Sequence, residues 1–312
     1  MNEKLPYSNA VRMTGETFRI LTVSTLYADA GNREKIAETL SAMIGCASPD
    51  FVFFCGDITR AASTAEELRQ TLAVILAPVT ERGLPWAHVF GDMDRVNGLP
   101  NEEAMEIYRS FPGCLSEAGP ESVDGCGNYV IPVTGESGEP LFCLYGLDSH
   151  SGVHDYETDY GSPTRARLSN PLYGKHYLDG IRFNQSMFYW NTSGMLEQTF
   201  GRKIPSMILF HTPVPEMTYL PMNPFQTKVQ GIQRETVRCQ VVAGGLFTAA
   251  IERGDVRAMF AGHSEHNDFH GTYGRILMGQ MRDFTLSDGS FTGGKVFVID
   301  RDGNVAVSHV TL

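Results

Sequence analysis

The sequence contains no run of lysine or arginine, no CxxC pair, and no apolar stretch near the roughly 20 residues that a membrane-spanning helix needs. Basic residues number 25 against 36 acidic ones, for a formal charge of -11. A surface that holds nucleic acid or an anionic membrane is therefore not expected. The opening stretch MNEKLPYSNAVRMTGETF has no continuous apolar run, so no signal peptide is expected. Repeats at solenoid spacing and low-complexity tracts are also missing. The six cysteines (Cys46, Cys55, Cys114, Cys126, Cys143 and Cys239) are dispersed, and several lie in apolar runs such as FVFFC and LFCLY. A thiol in such a run behaves as a small hydrophobe. They are read as reduced core residues of an intracellular protein, with the cytoplasm as the expected compartment.

What is present is an ordinary globular composition, 42% apolar and 20% charged. Residues 1–16 are polar and aperiodic and read as a flexible tail. Residues 17–312 read as a single domain, because no Pro/Gly/Ser linker divides them. FRILTVSTL (18–26) is a β-rich apolar run, and 32–45 carries apolar residues at helical spacing with Asn32 placed to cap them. FVFFC (51–55) reads as a buried strand closing on Gly56-Asp57. Residues 63–83 open with a Ser-x-x-Glu capping box at Ser63 and continue as an amphipathic helix. WAHVF (86–90) is the next strand, closing on Gly91-Asp92. This β-α-β-α-β order implies neighbouring parallel strands with right-handed crossovers. Downstream, GNYVIPV and LFCLYGLDS read as paired strands, 149–180 as a loop-rich stretch, and 182–200 as a helix. SMILF (206–210) ends at His211, VRAMFAG (256–262) ends at His263, and the C-terminus reads as a hairpin turning at Asp-Gly-Asn.

Four strand ends thus present metal-competent residues: Gly56-Asp57, Gly91-Asp92-Met93-Asp94, His211, and Gly262-His263-Ser264-Glu265-His266. Ligands and catalytic groups gather outside the carboxyl ends of strands in such sheets. A Gly-Asp after a strand is commonly only a turn, and a lone His there is commonly a surface residue. Four in order make a constellation.

That order, within FRILTVSTLYAD, PDFVFFCGDIT, PWAHVFGDMD, LYGLDS, MILFHTPVPE and MFAGHSEHNDF, resembles the calcineurin-like metallophosphoesterase superfamily in its purple-acid-phosphatase-related cytosolic branch. The resemblance runs from about residue 18 to about residue 300. It implies an α/β (α+β) fold, a four-layer α-β-β-α sandwich of two mixed β-sheets flanked by helices, with a dinuclear metal site that hydrolyses phosphate esters. The departures are as telling as the matches. Where the family opens with D-x-H, this chain has Thr25-Leu26-Tyr27. Its GNHD block is Gly91-Asp92-Met93-Asp94, so the catalytic His position is Met93, and its GHxH block ends at Glu265.

Sorted by ion, the resemblance assigns one metal to the positions Thr25, Tyr27, Asp57 and Glu265. It assigns the other to Asp57, Asp92, His211 and His263. A threonine and a neutral tyrosine are poor ligands, so the first site is expected to be disabled, whereas all four residues of the second can still coordinate. Two carboxylates with two imidazoles suit zinc, manganese or iron, and one divalent metal per chain is expected rather than two. Asp57, Asp92, Asp94 and Glu265 would also crowd one pocket with like charge, which favours a cation; the alternative is that they cap turns or take protons. One metal neutralised by two carboxylates is a blunted Lewis acid, and Met93 cannot donate a proton to a leaving alkoxide. Asp94, Asp92 and His211 remain as catalytic candidates. Tyr27 as a phenolate on a ferric ion is a further alternative.

Arg60 and Arg95 either reach a phosphate in the pocket or pair with nearby acids. His150 and His154 either line a cleft or are solvated loop residues. His266 is an alternative to Glu265, His270 flanks the same motif, and Phe188-Tyr189-Trp190 is read as packing. Three functions stand open: a weak or inactive one-metal pseudophosphatase, an active metal-dependent phosphatase or phosphodiesterase with an altered ligand set, and a metal-free scaffold. The expected partner is a small phosphorylated molecule or a phosphoprotein, with no nucleic acid and no membrane.

Overall fold

Period-two side-chain alternation divides the apolar strand residues between two cores. In strand β3 (Phe51–Cys55), Phe51, Phe53 and Cys55 pack between two sheets, while Val52 and Phe54 pack outward under helices. In β7 (Ser206–Phe210), Met207 and Leu209 join the same inter-sheet core, and Ile208 and Phe210 face the opposite helical layer. Strands buried on both faces carry continuous apolar runs, which is why FVFFC and SMILF lack polar alternation.

The computed structural model describes residues 5–60, 62, 64–94, 99–150, 179–286 and 288–310. The five-stranded sheet runs in the order β13 (Val305–Val310), β12 (Gly294–Asp300), β2 (Thr17–Val23), β3, β4 (Trp86–Val89). β2, β3 and β4 are parallel, with Leu21 opposite Val52 and Phe53 opposite Ala87. The eight-stranded sheet runs β1 (Val11–Arg12), β5 (Tyr129–Thr134), β6 (Pro140–Gly146), β7, β9 (Val256–Ala261), β11 (Ile276–Gln280), β10 (Asp268–Tyr273), β8 (Gln230–Ile232). Helices Arg33–Ala47, Ala65–Ile75 and Asn101–Arg109 cover the first sheet, and Phe183–Phe200 and Leu246–Arg253 cover the second. The expected four layers, with two mixed sheets flanked by helices, are those found. Asp268 on β10 joins the sheets at one edge, accepting from the buried ammonium of Lys295 on β12 and from His309 Nδ1 on β13 at 2.6 Å. Among the described residues no helix is long and apolar enough to cross a membrane.

Several local expectations are corrected. Part of the expected tail is structured: Val11 and Arg12 pair in parallel with Val133 and Thr134, and Met13 is buried. Asn32 does not cap its helix. Its Oδ1 accepts from Asp29 N at 2.8 Å and its Nδ2 donates to Tyr27 O at 2.9 Å, so it ties down the loop that carries Tyr27. The cap of the next helix is Thr64, extended at φ -144° and accepting from Glu67 N at 3.1 Å; Ser63 lies outside the described residues. Cys46 is exposed, and Cys114 and Cys239 are half-buried, so only Cys55, Cys126 and Cys143 are core thiols. Arg95, His154 and 151–178 of the loop-rich stretch also lie outside the described residues.

Candidate metal centre

The loops after β2, β3, β4, β7 and β9 meet at one end of the sandwich, laced by their backbones. Thr25 N donates to Gly56 O at 2.9 Å, and Leu26 N and Tyr27 N both donate to Asp57 O at 2.8 and 3.0 Å. The lacing forces unusual backbone. Thr25, Tyr27, Asp57 and His263 all take left-handed φ, between 51° and 60°. Non-glycine residues rarely adopt that region, and such strain concentrates at functional sites.

Two glycines are explained by close approach. A Cβ on Gly56 would meet His211 Nδ1 at 2.5 Å, and one on Gly91 would meet Asp57 N at 2.5 Å and its Cγ at 2.8 Å. The Gly-Asp pairs noted in the sequence therefore let imidazole and carboxylate press against neighbouring main chain.

His211 is fully buried and hydrogen-bonded through Nδ1 to Cys55 O at 2.8 Å. With Nδ1–H donating, Nε2 is the ring nitrogen turned to the site, the arrangement by which a second shell fixes a ligating histidine. Nε2 lies 3.2 Å from Asp57 Oδ2 and 3.3 Å from His263 Nδ1. Asp57 Oδ1 accepts from Met93 N at 2.7 Å. Asp92 Oδ2 is 3.9 Å from His263 Nδ1, and Asp92 Oδ1 is buried with no hydrogen-bond partner among the described residues. One ligand atom each from Asp92, His211 and His263 lies within 4.8 Å of the other two. A tetrahedron with bonds of about 2.0–2.1 Å has edges of about 3.3 Å. The His211–His263 and His211–Asp57 spacings match that edge, and the orphaned Asp92 oxygen has the character of an unused ligand. The donor set fits a divalent ion of borderline N/O preference.

Without a cation, the pocket balances charge in another way. Burial alone would deprotonate His211, but the Asp57 carboxylate outweighs it and raises the imidazole to about 10. Burial likewise opposes ionisation of Asp57, yet the charge and hydrogen bond of His211 hold it below the usual range. His263 is lowered by burial and by the His211 charge. Burial, with the Asp57 charge beside it, raises Asp94 to about 7. Protons can therefore relieve the like charge of this pocket, as a cation can.

The remaining candidates separate. Asp94 is 1% exposed, its Oδ1 accepting from Thr59 N and its Oδ2 from Gly91 N, both at 2.9 Å. It fixes the loop rather than facing the cavity. Glu265 lines the cavity but contributes no atom to the close trio. The Tyr27 phenol is driven well above its ordinary range by burial and by Asp57, Asp283 and Asp92, against Arg60; it stands as a neutral phenol. His150 is buried and hydrogen-bonded to Gln185 Oε1 at 3.2 Å, away from the cavity. His266 is exposed.

A cavity of about 410 Å³ opens beside the cluster, lined by Tyr27, Arg60, Met93, Arg238, His263, Glu265 and Asp283. Sequence reasoning missed two of these residues. Asp283 is 5% exposed, with its carboxyl raised to about 7, chiefly by burial. It arrives through backbone pairing of Phe284 N with Ser24 O at 2.7 Å and Thr285 N with Thr25 O at 3.1 Å. No motif announces it. Arg238 comes from the segment between β8 and the helix Leu246–Arg253, which carries no motif.

No family model matches the chain. It is 26% identical to "Probable inactive purple acid phosphatase 14" of Arabidopsis thaliana over 82% of this chain and 67% of the relative. With "Probable inactive purple acid phosphatase 29" of the same plant it shares 27% identity over 74% of this chain and 58% of the relative. "Phosphatase DCR2" of Saccharomyces cerevisiae is 24% identical over 81% of this chain and 44% of its own length. Among solved structures, a dimetal phosphatase from Danio rerio superposes with a TM-score of 0.58 at 10% identity, covering 94% of this chain and 99% of that one. At that identity the superposition speaks for the fold alone. The chain thus has the calcineurin-like metallophosphoesterase fold, and its homologues are purple-acid-phosphatase-like.

Proposed function

We propose that this protein is a weak or inactive phosphoesterase-fold protein that keeps one divalent metal site and binds a phosphorylated small molecule or phosphoprotein without efficient turnover. The observation that carries the reading is the asymmetry of the cluster. Asp92, His211 and His263 converge, with Asp57 beside His211 at 3.2 Å, while the opposite side presents Thr25 and a neutral Tyr27.

Asp57, Asp92, His211 and His263 would hold the ion. When bound, it supplies a Lewis acid for a phosphoryl oxygen. The chain's own groups supply little else. Met93 holds Asp57 through its backbone N–H but has no proton to give a leaving group. Asp94 is occupied by Thr59 and Gly91, and Asp57 is held by Met93 and His211. The reading is supported by the word "inactive" in the names of the two plant relatives. The free thiols suit a reducing compartment such as the cytoplasm.

A second reading, an active phosphatase on an altered ligand set, draws on Asp283, which places a carboxyl beside Thr25. The test is turnover of an aryl phosphate by zinc-, manganese- and iron-loaded protein. The one-metal reading predicts rates far below about 1 s⁻¹, the lower edge of ordinary enzymes. Turnover at or above that rate would establish the second reading instead.

A further inference from the structure

Where the family pattern carries a metal-ligating imidazole, this chain carries a phenol that supports a guanidinium. Arg60 lies over the Tyr27 ring at 4.9 Å from its centroid, and both side chains line the cavity beside His263. The ring is a fixed platform. Tyr27 N donates to Asp57 O at 3.0 Å, and Tyr27 O accepts from Asn32 Nδ2 at 2.9 Å. Arg60 N is bonded to Ala28 O at 3.0 Å, but among the described residues its guanidinium has no carboxylate partner and no hydrogen bond. A solvated arginine beside acids is ordinary. One stacked at a cavity mouth with its donors free is not spent on structure.

Arg238 lines the same cavity. It is 3.5 Å from Glu235 Oε2 with about half its side chain exposed, at 52%, longer than the roughly 2.7–2.9 Å of a strong charge-assisted hydrogen bond. It shares the cavity wall with His263, which places it near the cluster. The cavity is therefore lined by two carboxyl groups, Glu265 and Asp283, and by two guanidiniums, Arg60 without a carboxylate partner among the described residues and Arg238 loosely paired with Glu235.

We infer that Arg60, stacked on Tyr27, and Arg238 form a clamp for the dianionic phosphoryl group of a phosphomonoester, with the guanidiniums standing where a second metal ion would otherwise supply positive charge. A guanidinium stays charged at any physiological pH and matches phosphate oxygens with a planar fork of donors. It attracts the anion but cannot act as a base, so binding survives a substitution that removes hydrolysis. A phosphomonoester presents nearly two charges and three free oxygens near neutral pH, whereas a diester presents one charge and two oxygens. A cavity of about 410 Å³ falls within the range of small-ligand sites.

The inference rests on the one-metal reading for its third positive partner, and the experiment keeps the two apart. Inorganic phosphate and dimethyl phosphate are titrated calorimetrically into zinc-loaded protein, with zinc content measured on the same samples. Phosphate is expected to bind at least about tenfold more tightly than dimethyl phosphate, and Arg60→Ala to weaken phosphate about tenfold at unchanged zinc content. Tyr27→Phe keeps the ring and is expected to stay within about twofold of wild type, while Tyr27→Ala falls to the level of Arg60→Ala. Arg60 is exposed, so its variant is expected to keep the wild-type thermal midpoint, and it carries the test if Tyr27→Ala misfolds. Equal affinity for the two anions, or wild-type phosphate affinity in Arg60→Ala, overturns the clamp. Arg60-dependent phosphate binding to protein that takes up no zinc upholds the clamp and removes the one-metal reading.

Discussion

Gly91→Ala tests whether the cluster is held by main-chain packing. The added Cβ would stand 2.5 Å from Asp57 N and 2.8 Å from Asp57 Cγ, where carbon contacts normally begin near about 3.5 Å. The shortfall is about 0.7 Å or more, and part of it is against backbone, so no rotamer relieves it. Asp57 must move, and its neighbours Met93 N and His211 Nε2 at 2.7 and 3.2 Å move with it. Metal ligation tolerates about 0.2 Å, whereas overpacking by one methyl costs about 1–3 kcal/mol. That is a fraction of the roughly 5–15 kcal/mol by which domains are stable. The variant is therefore expected to fold, with a lowered thermal midpoint, and to lose most of its zinc. Elemental analysis beside thermal denaturation of the same sample reads both. Full zinc content with an unchanged midpoint would refute the close approach of Gly91 to Asp57.

Other outcomes follow from neighbouring features. Asp268→Asn leaves Lys295 buried without its counter-charge and is expected to cost about 3–5 kcal/mol at neutral pH by urea titration. Burial raises the Asp268 carboxyl, but His309 and Lys295 overcome it and set it to about 2 against an ordinary 3.8. A depressed folded value stabilises above the ordinary value and loses that contribution as pH falls through the folded one. The gap between wild type and Asp268→Asn should therefore narrow between about pH 4 and pH 2, and a gap independent of pH would exclude this staple. Phe54→Ala empties a fully buried site where Phe54 lies edge-on to Trp86 at 5.8 Å. It should cost about 3–5 kcal/mol in denaturant unfolding while leaving zinc content intact. Met93→His puts an imidazole where the family resemblance places the general acid; on the one-metal reading, aryl phosphate turnover should stay at background, and a clear rise would show that the missing acid alone limits the site.

The parts of the molecule that could be read in advance are those in which one short segment carries both the strand and its chemistry. FVFFC followed by Gly56-Asp57, and SMILF followed by His211, show a buried strand and a metal-competent side chain within a few residues. Asp283 and Arg238 could not be read this way. They reach the cavity through pairings far apart in sequence, such as Phe284 N with Ser24 O, and neither sits in a motif. The misplaced cap has a local cause: Ser63 and Thr64 are adjacent and each precedes a glutamate by three residues, Glu66 and Glu67, so the pattern admits either register. Only the extended Thr64 backbone selects one. Asn32 failed as a cap because its amide serves the Tyr27 loop, a tertiary demand that helix signals do not encode. The strand at Val11–Arg12 is too short to show a period, and its partner β5 lies far downstream.

The most direct test of the one-metal site is a zinc titration of chelator-stripped protein near pH 8, read by calorimetry in two buffers of different ionisation enthalpy. With His211 raised to about 10 and His263 lowered, binding should displace the His211 proton. The expected result is one zinc per chain with release of about one proton, and no such event in His211→Ala. Two zinc ions per chain, or an unaltered isotherm in His211→Ala, would contradict it.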